Sequence, residues 1–282
     1  MSGRIGTFPY IGGKGDKASW IIEQIPAHET YIEPFGGSAG VLVNKPRSEN
    51  EVYNDLNPDC VNFFRTCRDR TEELAYWVRY TPYSRQLHQR YSEKREDWPS
   101  DAVEQAGRFV FLQRASFGGS AIGKNASYSV ANSGTPSSKN CGSYKWHQKV
   151  SHIAQIGERF RDVYIQCRDY REVVSEYDSS STFFYFDPPY QEIGEKYYLT
   201  ESAGFDHQEF VSILADIEGK WLVSYDENIP DGLQDGNRVV YRDYSAKSSR
   251  EYNQKVETLT MNYDPASEPP FTGLSTNSVT EW

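Results

Sequence analysis

The stretch "FFYFDPPYQE", residues 183–192, decides the reading of the fold: four aromatic residues run straight into Asp187, Pro188, Pro189 and Tyr190. Neither proline can donate a backbone hydrogen bond, so a strand built from the aromatic run must end there, with Asp187 at its tip. Strand tips in an open α/β sheet face the crevice where ligands bind, which offers Asp187 for chemistry. A turn in which Asp187 is only a cap is the plainer alternative. In the richer one the Asp187 carboxylate and the Pro188 carbonyl are paired acceptors beside the flat face of Tyr190, a set suited to an amino group on a planar ring.

Three further runs have the same form of strand, polar tip and turn: "TYIEPFGG" (30–37), "NEVYNDLNPD" (50–59) and "KWLVSYDEN" (220–228). Their recurrence predicts a parallel α/β sheet, with "NRVVYRDY" (237–244) and "KVETLTMNYD" (255–264) as closing strands. Asn57 and Pro58 predict a helix N-cap and first helical position ahead of the apolar stripe Cys60, Val61, Phe63, Phe64 and Cys67. A second apolar stretch after Gly36, Gly37 and Gly40 also reads as helical.

Residues 66–180 interrupt this rhythm with mostly helical patterns, among them "TEELAYWVRY" (71–80) and "AVEQAGRFVFLQRAS" (102–116). The Gly-, Ser- and Asn-rich segment 116–145 is too long for an ordinary connection. It is either a disordered insertion or a loop that orders on a partner.

Composition sets the outer bounds. A chain of 282 residues, 37% hydrophobic and 15% aromatic, can bury a substantial core. No run approaches the roughly 18 to 20 apolar residues of a membrane helix, and the N-terminus lacks an apolar signal core, so a cytoplasmic protein without a membrane partner is expected. Cys60, Cys67, Cys141 and Cys167 form no CxxC pair and the five histidines no HxxxH spacing, which predicts reduced thiols and no metal. A net charge of −10 argues against a nucleic-acid partner until its distribution is seen. Between Glu104 and Glu158 there is no acidic residue, whereas Arg108, Arg114, Lys124, Lys139, Lys145 and Lys149 all fall there.

Four elements carry the chemistry in a fixed order: Tyr10-Ile-Gly-Gly-Lys14, the turn Glu33-Pro34-Phe35-Gly36-Gly-Ser-Ala-Gly40, Asp55-Leu-Asn57, and Asp187-Pro-Pro-Tyr190. A glycine turn lets a backbone approach a ligand, and a carboxylate at the next strand end is a common ribose ligand. In this order the chain resembles the Dam-type family of N6-adenine DNA methyltransferases. The resemblance extends to Gln113-Arg114-Ala-Ser-Phe117-Gly118-Gly119, although the Arg-containing continuation usual in that family is missing here.

The resemblance implies a Rossmann-like α/β methyltransferase sheet dependent on S-adenosylmethionine (SAM), with an inserted, mostly helical target-recognition subdomain. The implied divisions are 1–65 and 181–263 for catalysis, 66–180 for DNA recognition, and 264–282 as a flexible tail. Asp187, Pro188, Pro189 and Tyr190 would act on a flipped adenine. Tyr10, Lys14, Glu33, Pro34, Phe35, Gly36, Gly40, Asp55 and Asp187 would line the SAM pocket. Arg114, Lys124, Lys139 and Lys145 would face double-stranded DNA, the enzyme acting as a monomer. Methylation of cytosine N4 or of RNA, and a catalytically silent DNA-binding relative, are the alternatives.

Overall fold

A computed structural model of the chain describes residues 4–10, 12–92, 97–116, 128, 146–190, 205–247 and 252–273. Among the described residues the helices are, in chain order, α1 (Ala18–Ile22), α2 (Pro58–Asp69), α3 (Thr71–Tyr80), α4 (Arg85–Tyr91), α5 (Ala102–Ala115), α6 (Lys149–Arg159), α7 (Tyr170–Tyr177) and α8 (His207–Asp216). The strands are β1 (Thr30–Glu33), β2 (Asn50–Asn54), β3 (Val163–Gln166), β4 (Thr182–Phe186), β5 (Lys220–Tyr225), β6 (Arg238–Lys247) and β7 (Tyr252–Met261). Two compact units divide the chain: Met1–Asp16, Gly37–Asn44 and Asn57–Cys167 form one, and Lys17–Gly36, Lys45–Leu56 and Arg168–Trp282 the other.

The second unit is built on strands in the order β2-β1-β4-β5-β7-β6. The expected strand runs pair in parallel as β1 with β2 and β4, and β4 with β5, with Ile32 level with both Val52 and Phe184. The two closing strands are antiparallel, β7 lying between β5 and β6. Every residue of β4 is buried, as a central strand covered on both faces requires. One face carries Ile32, Val52, Phe184, Phe186 and Val223 onto Tyr170, Val173 and Val174 of α7 and Phe210 and Leu214 of α8. Both helices start on aspartate caps: Asp169 accepts from the Arg171 amide, and Asp206 from those of Gln208 and Glu209.

Part of the segment expected as a loose tail is anchored in this unit. Ala27 donates to the Pro269 carbonyl at 3.0 Å, Phe271 to that of Ile25 at 3.3 Å, and the Phe271 ring stacks on His28 at 4.1 Å. A single aromatic residue and a short backbone pairing suffice to hold an otherwise polar stretch.

The first unit is helical, with β3 as its strand. Asn57 caps α2 by accepting from the Asp59 amide, and Pro58 takes its first position, as the sequence predicts. Phe8, Phe63, Phe64, Phe109 and Phe160 form a chain of ring contacts, from the Phe8–Phe63 edge contact at 5.0 Å to the Phe64–Phe160 stack at 4.5 Å. The helix expected after the glycine turn does not form. Residues 41–44 close only single turns, Val43 donating to Ala39 and Asn44 to Val41. Pro46 explains the stop, because it disfavours the helical conformation at Lys45 and supplies no amide. Among the described residues, no helix is long and apolar enough to cross a membrane.

Candidate active site

In the second unit β1 and β4 are neighbours from which the chain departs in opposite directions, to β2 on one side and β5 on the other. Such a switch point opens a crevice beyond the carboxyl ends of the strands. Glu33 ends β1, Asn54 ends β2 with Asp55 next, and Asp187 follows β4 directly. The structure therefore brings Glu33, Pro34, Phe35, Gly36, Asp55 and the 187–190 motif to one end of one sheet.

Tyrosines surround Asp187. Burial first, and the Asp187 charge second, pushes up the phenols of Tyr185, Tyr190 and Tyr225. Tyr185 also feels the negative charges of Glu257 and Glu33, and its hydroxyl bonds to Ser224 at 2.8 Å. Glu33 is 2% exposed and accepts from Tyr31 at 2.6 Å. Tyr190 lies against Tyr225, ring centroids 5.5 Å apart, and its hydroxyl donates to Glu257 at 2.7 Å. The Tyr225 hydroxyl meets His207 Nδ1 at 2.9 Å, and burial pushes that imidazole below its ordinary value.

The turn beyond β1 is held tightly. Asn54 donates from Nδ2 to the carbonyls of Pro34 at 2.9 Å and Arg168 at 3.0 Å, while its Oδ1 accepts from the Arg168 amide at 2.9 Å. A Cβ on Gly36 would overlap the Tyr53 ring, so glycine serves a close approach within the chain itself. Phe35 points into the apolar side, 5.0 Å from the Tyr170 ring and 5.6 Å from that of Phe205.

Tyr10, Lys14 and Gly40 belong to the first unit. Lys14 is buried, its Nζ donating to the Gly12 carbonyl at 2.8 Å. A Cβ on Gly40 would come within 2.7 Å of the Gly15 amide nitrogen, which ties the 37–44 turn to the N-terminal segment. Arg114 lies at the end of α5. Burial lowers its guanidinium, a shift that Tyr83 opposes, and its buried Nε makes no hydrogen bond among the described residues. Lys124, Lys139 and Lys145 lie outside the described residues. Arg108, counted in the basic segment, is 8% exposed and paired with Glu104 at 2.8 Å, so it serves the helix rather than a surface.

Sequence reasoning missed Asn54, Ser224, His207 and Glu257. Only Glu257 left a usable signal, a lone carboxylate in the middle of the β7 run "KVETLTM".

The carboxylates of Glu33 and Asp187 at this end of the sheet, both of which raise the Tyr185 phenol, suit a cationic group such as a sulfonium or an ammonium, whereas the charge of Glu257 is met by Lys17. The sheet is of the α/β class, with the Asp-Pro-Pro-Tyr tip at its switch point. A profile of the D12 class N6 adenine-specific DNA methyltransferases matches residues 10–258, and the chain belongs to that family. It is 25% identical to the type II methyltransferase M.MjaIII of Methanocaldococcus jannaschii over 90% of this chain and 97% of that one. It is 24% identical to the type II methyltransferase M.CviBI of Paramecium bursaria Chlorella virus NC1A, over 76% of this chain and 80% of the relative. A DNA N-6-adenine-methyltransferase of Escherichia phage P1 is 25% identical over 74% of this chain and 28% of its own length. The adenine and DNA readings are thereby the established ones, over cytosine or RNA.

Proposed function

We propose that the second unit transfers a methyl group from SAM to the amino nitrogen of an adenine flipped out of double-stranded DNA, with Asp187 as the central acceptor. The observation that carries this reading is the position of Asp187, directly after the buried central strand β4 and within electrostatic reach of three phenols. When bound, SAM supplies an electrophilic methyl on a sulfonium. Glu33, Pro34, Phe35, Gly36 and Asp55 would hold it, with Asp55 on the ribose.

The adenine amino nitrogen is a poor nucleophile because its lone pair is delocalised into the ring. Hydrogen bonds from its two hydrogens to the Asp187 carboxylate and the Pro188 carbonyl favour a pyramidal nitrogen and return the lone pair to it, and once the methyl is attached one of these protons leaves the nitrogen toward Asp187. Pro188 and Pro189 fix the backbone that aims these acceptors. The ring of Tyr190 would stack on the flipped base, recovering part of an unstacking cost of a few kcal/mol. Residues 66–180 would supply the DNA-facing surface, with Arg114 at its edge and Lys124, Lys139 and Lys145 as phosphate contacts.

The test is methylation of unmethylated plasmid DNA, followed by digestion to nucleosides. N6-methyladenine made by the wild type and absent with Asp187→Ala is the expected result. Methylation by a folded Asp187→Ala variant at the wild-type rate would refute the assignment.

A further inference from the structure

The Asp-Pro-Pro-Tyr tip is pinned at its far end by a residue outside the motif. Glu257 sits on β7, the strand between β5 and β6, and is 1% exposed. One of its carboxylate oxygens accepts from the Tyr190 hydroxyl at 2.7 Å, and the other pairs with Lys17. Lys17 Nζ in turn stands 3.8 Å from the centroid of the Tyr244 ring on β6.

Burying a carboxylate in the middle of a sheet is costly, and an apolar residue of similar volume would serve the strand at least as well. Stability of the strand therefore does not account for Glu257. Its geometry does. The Tyr190 ring follows the restricted Pro188-Pro189 backbone at one end, its hydroxyl is held by Glu257 at the other, and the Tyr225 ring lies against it at 5.5 Å. The two ends fix the long axis of the ring and the Tyr225 contact limits rotation about it, so little freedom remains to be lost when a base stacks on it.

We infer that Glu257, held in place by Lys17, is a positioning residue that fixes the long axis of the Tyr190 ring for the target base. This rests on the reading of Tyr190 as the wall against which the flipped adenine lies. A phenylalanine at position 190 would keep the wall and lose the anchor, so the hydroxyl itself carries the effect.

The experiment measures single-turnover methyl transfer from tritiated SAM to unmethylated plasmid DNA, SAM affinity by calorimetry, and folding by thermal melting. Glu257→Gln keeps an acceptor for the phenol, whereas Glu257→Met has similar length and none; both remove the charge facing Lys17. With Tyr190 present, the Gln variant should turn over about tenfold faster than the Met variant. In the Tyr190→Phe background the two should agree within about twofold, and SAM affinity should stay constant throughout. Equal rates for Gln and Met with Tyr190 present, or the same ratio in both backgrounds, would overturn the inference. If Glu257→Met does not fold, Tyr190→Phe alone decides: a rate about tenfold below wild type at unchanged SAM affinity supports the anchor, and a wild-type rate overturns it. Tyr190→Ala separates the two levels. An unimpaired Tyr190→Ala would remove the wall and the anchor with it, whereas an impaired Tyr190→Ala beside an unimpaired Tyr190→Phe would remove the anchor alone.

Discussion

The side chain of Asn54 and the backbone of Arg168 exchange a pair of hydrogen bonds, Nδ2 donating to the carbonyl at 3.0 Å and Oδ1 accepting from the amide at 2.9 Å. A third bond, from Nδ2 to the Pro34 carbonyl at 2.9 Å, ties the ends of β1 and β2 to the start of the segment leading into α7. One fully buried amide thus sets the geometry around Asp55. Asn54→Ala leaves backbone groups of Pro34 and Arg168 without these partners, and a loss of about 2 kcal/mol is expected. Urea unfolding of the variant checks it, and wild-type stability would show that water or relaxation replaces the bonds.

Asp55→Ala should chiefly weaken SAM binding, because the carboxylate lies at the end of β2 beside the switch point. A charge-assisted hydrogen bond contributes ~1.5–3 kcal/mol, which raises the dissociation constant about tenfold to a hundredfold. Calorimetric titration of SAM reads this directly, and unchanged affinity would remove Asp55 from the cofactor site.

Asp187→Asn keeps the shape of the side chain and removes its charge. Methyl transfer should fall by about 10² to 10³-fold, the usual loss when one preorganised polar contact to a transition state is removed. Thermal melting checks that the variant is folded, and a folded Asp187→Asn enzyme that transfers methyl at the wild-type rate would remove the charge from the mechanism.

His28 offers a stability prediction at the other end of β1. Its Nδ1 donates to the Pro26 carbonyl at 2.7 Å, so the neutral ring accepts at Nε2 from Ser48, also at 2.7 Å. Burial is the main reason its pKa falls from 6.5 to about 4, with the Pro26 bond opposing the shift and buried Lys45 reinforcing it. The folded state holds a neutral ring where the unfolded chain would bind a proton. This contribution is therefore complete above about pH 6.5 and is lost as pH falls toward about 4, ~3 kcal/mol in all. His28→Gln cannot titrate, so the difference in urea stability between wild type and variant should narrow across that window. A difference independent of pH would contradict the shift.

What could be read in the sequence was whatever a local pattern determines. The aromatic run before Asp187, the closing strands β6 and β7 and the Asn57-Pro58 start of α2 each followed from local residue pattern or backbone restriction. β3 was not singled out, because its four residues, "VYIQ", make one alternation that a loop shows equally well. The stretch 41–44 was misread because four apolar residues or fewer do not distinguish a helix from successive turns. Glu257 illustrates the harder limit: its partners Tyr190 and Lys17 are 67 and 240 positions away, a distance no local pattern spans.

The basic segment supplies the last prediction. If residues 105–157 carry the DNA-facing surface, neutralising Lys124, Lys139 and Lys145 together should weaken DNA binding and flatten its salt dependence, each lost phosphate contact lowering the log–log slope by about 0.9. SAM affinity should not move. Arg114 is expected to behave differently. Its Nε is buried without a hydrogen bond among the described residues, and burial lowers its guanidinium. A partly buried cation whose Nε has no acceptor among the described residues is suited to a base edge that supplies one. Arg114→Gln should therefore relax sequence preference at one position by about 1 to 3 kcal/mol while leaving the salt slope nearly intact. Binding measured across a salt series and a randomised DNA library separates the effects. An unchanged slope for the triple lysine variant would sink the electrostatic claim. An unchanged preference for Arg114→Gln, with a lowered melting temperature, would make Arg114 a brace for the end of α5.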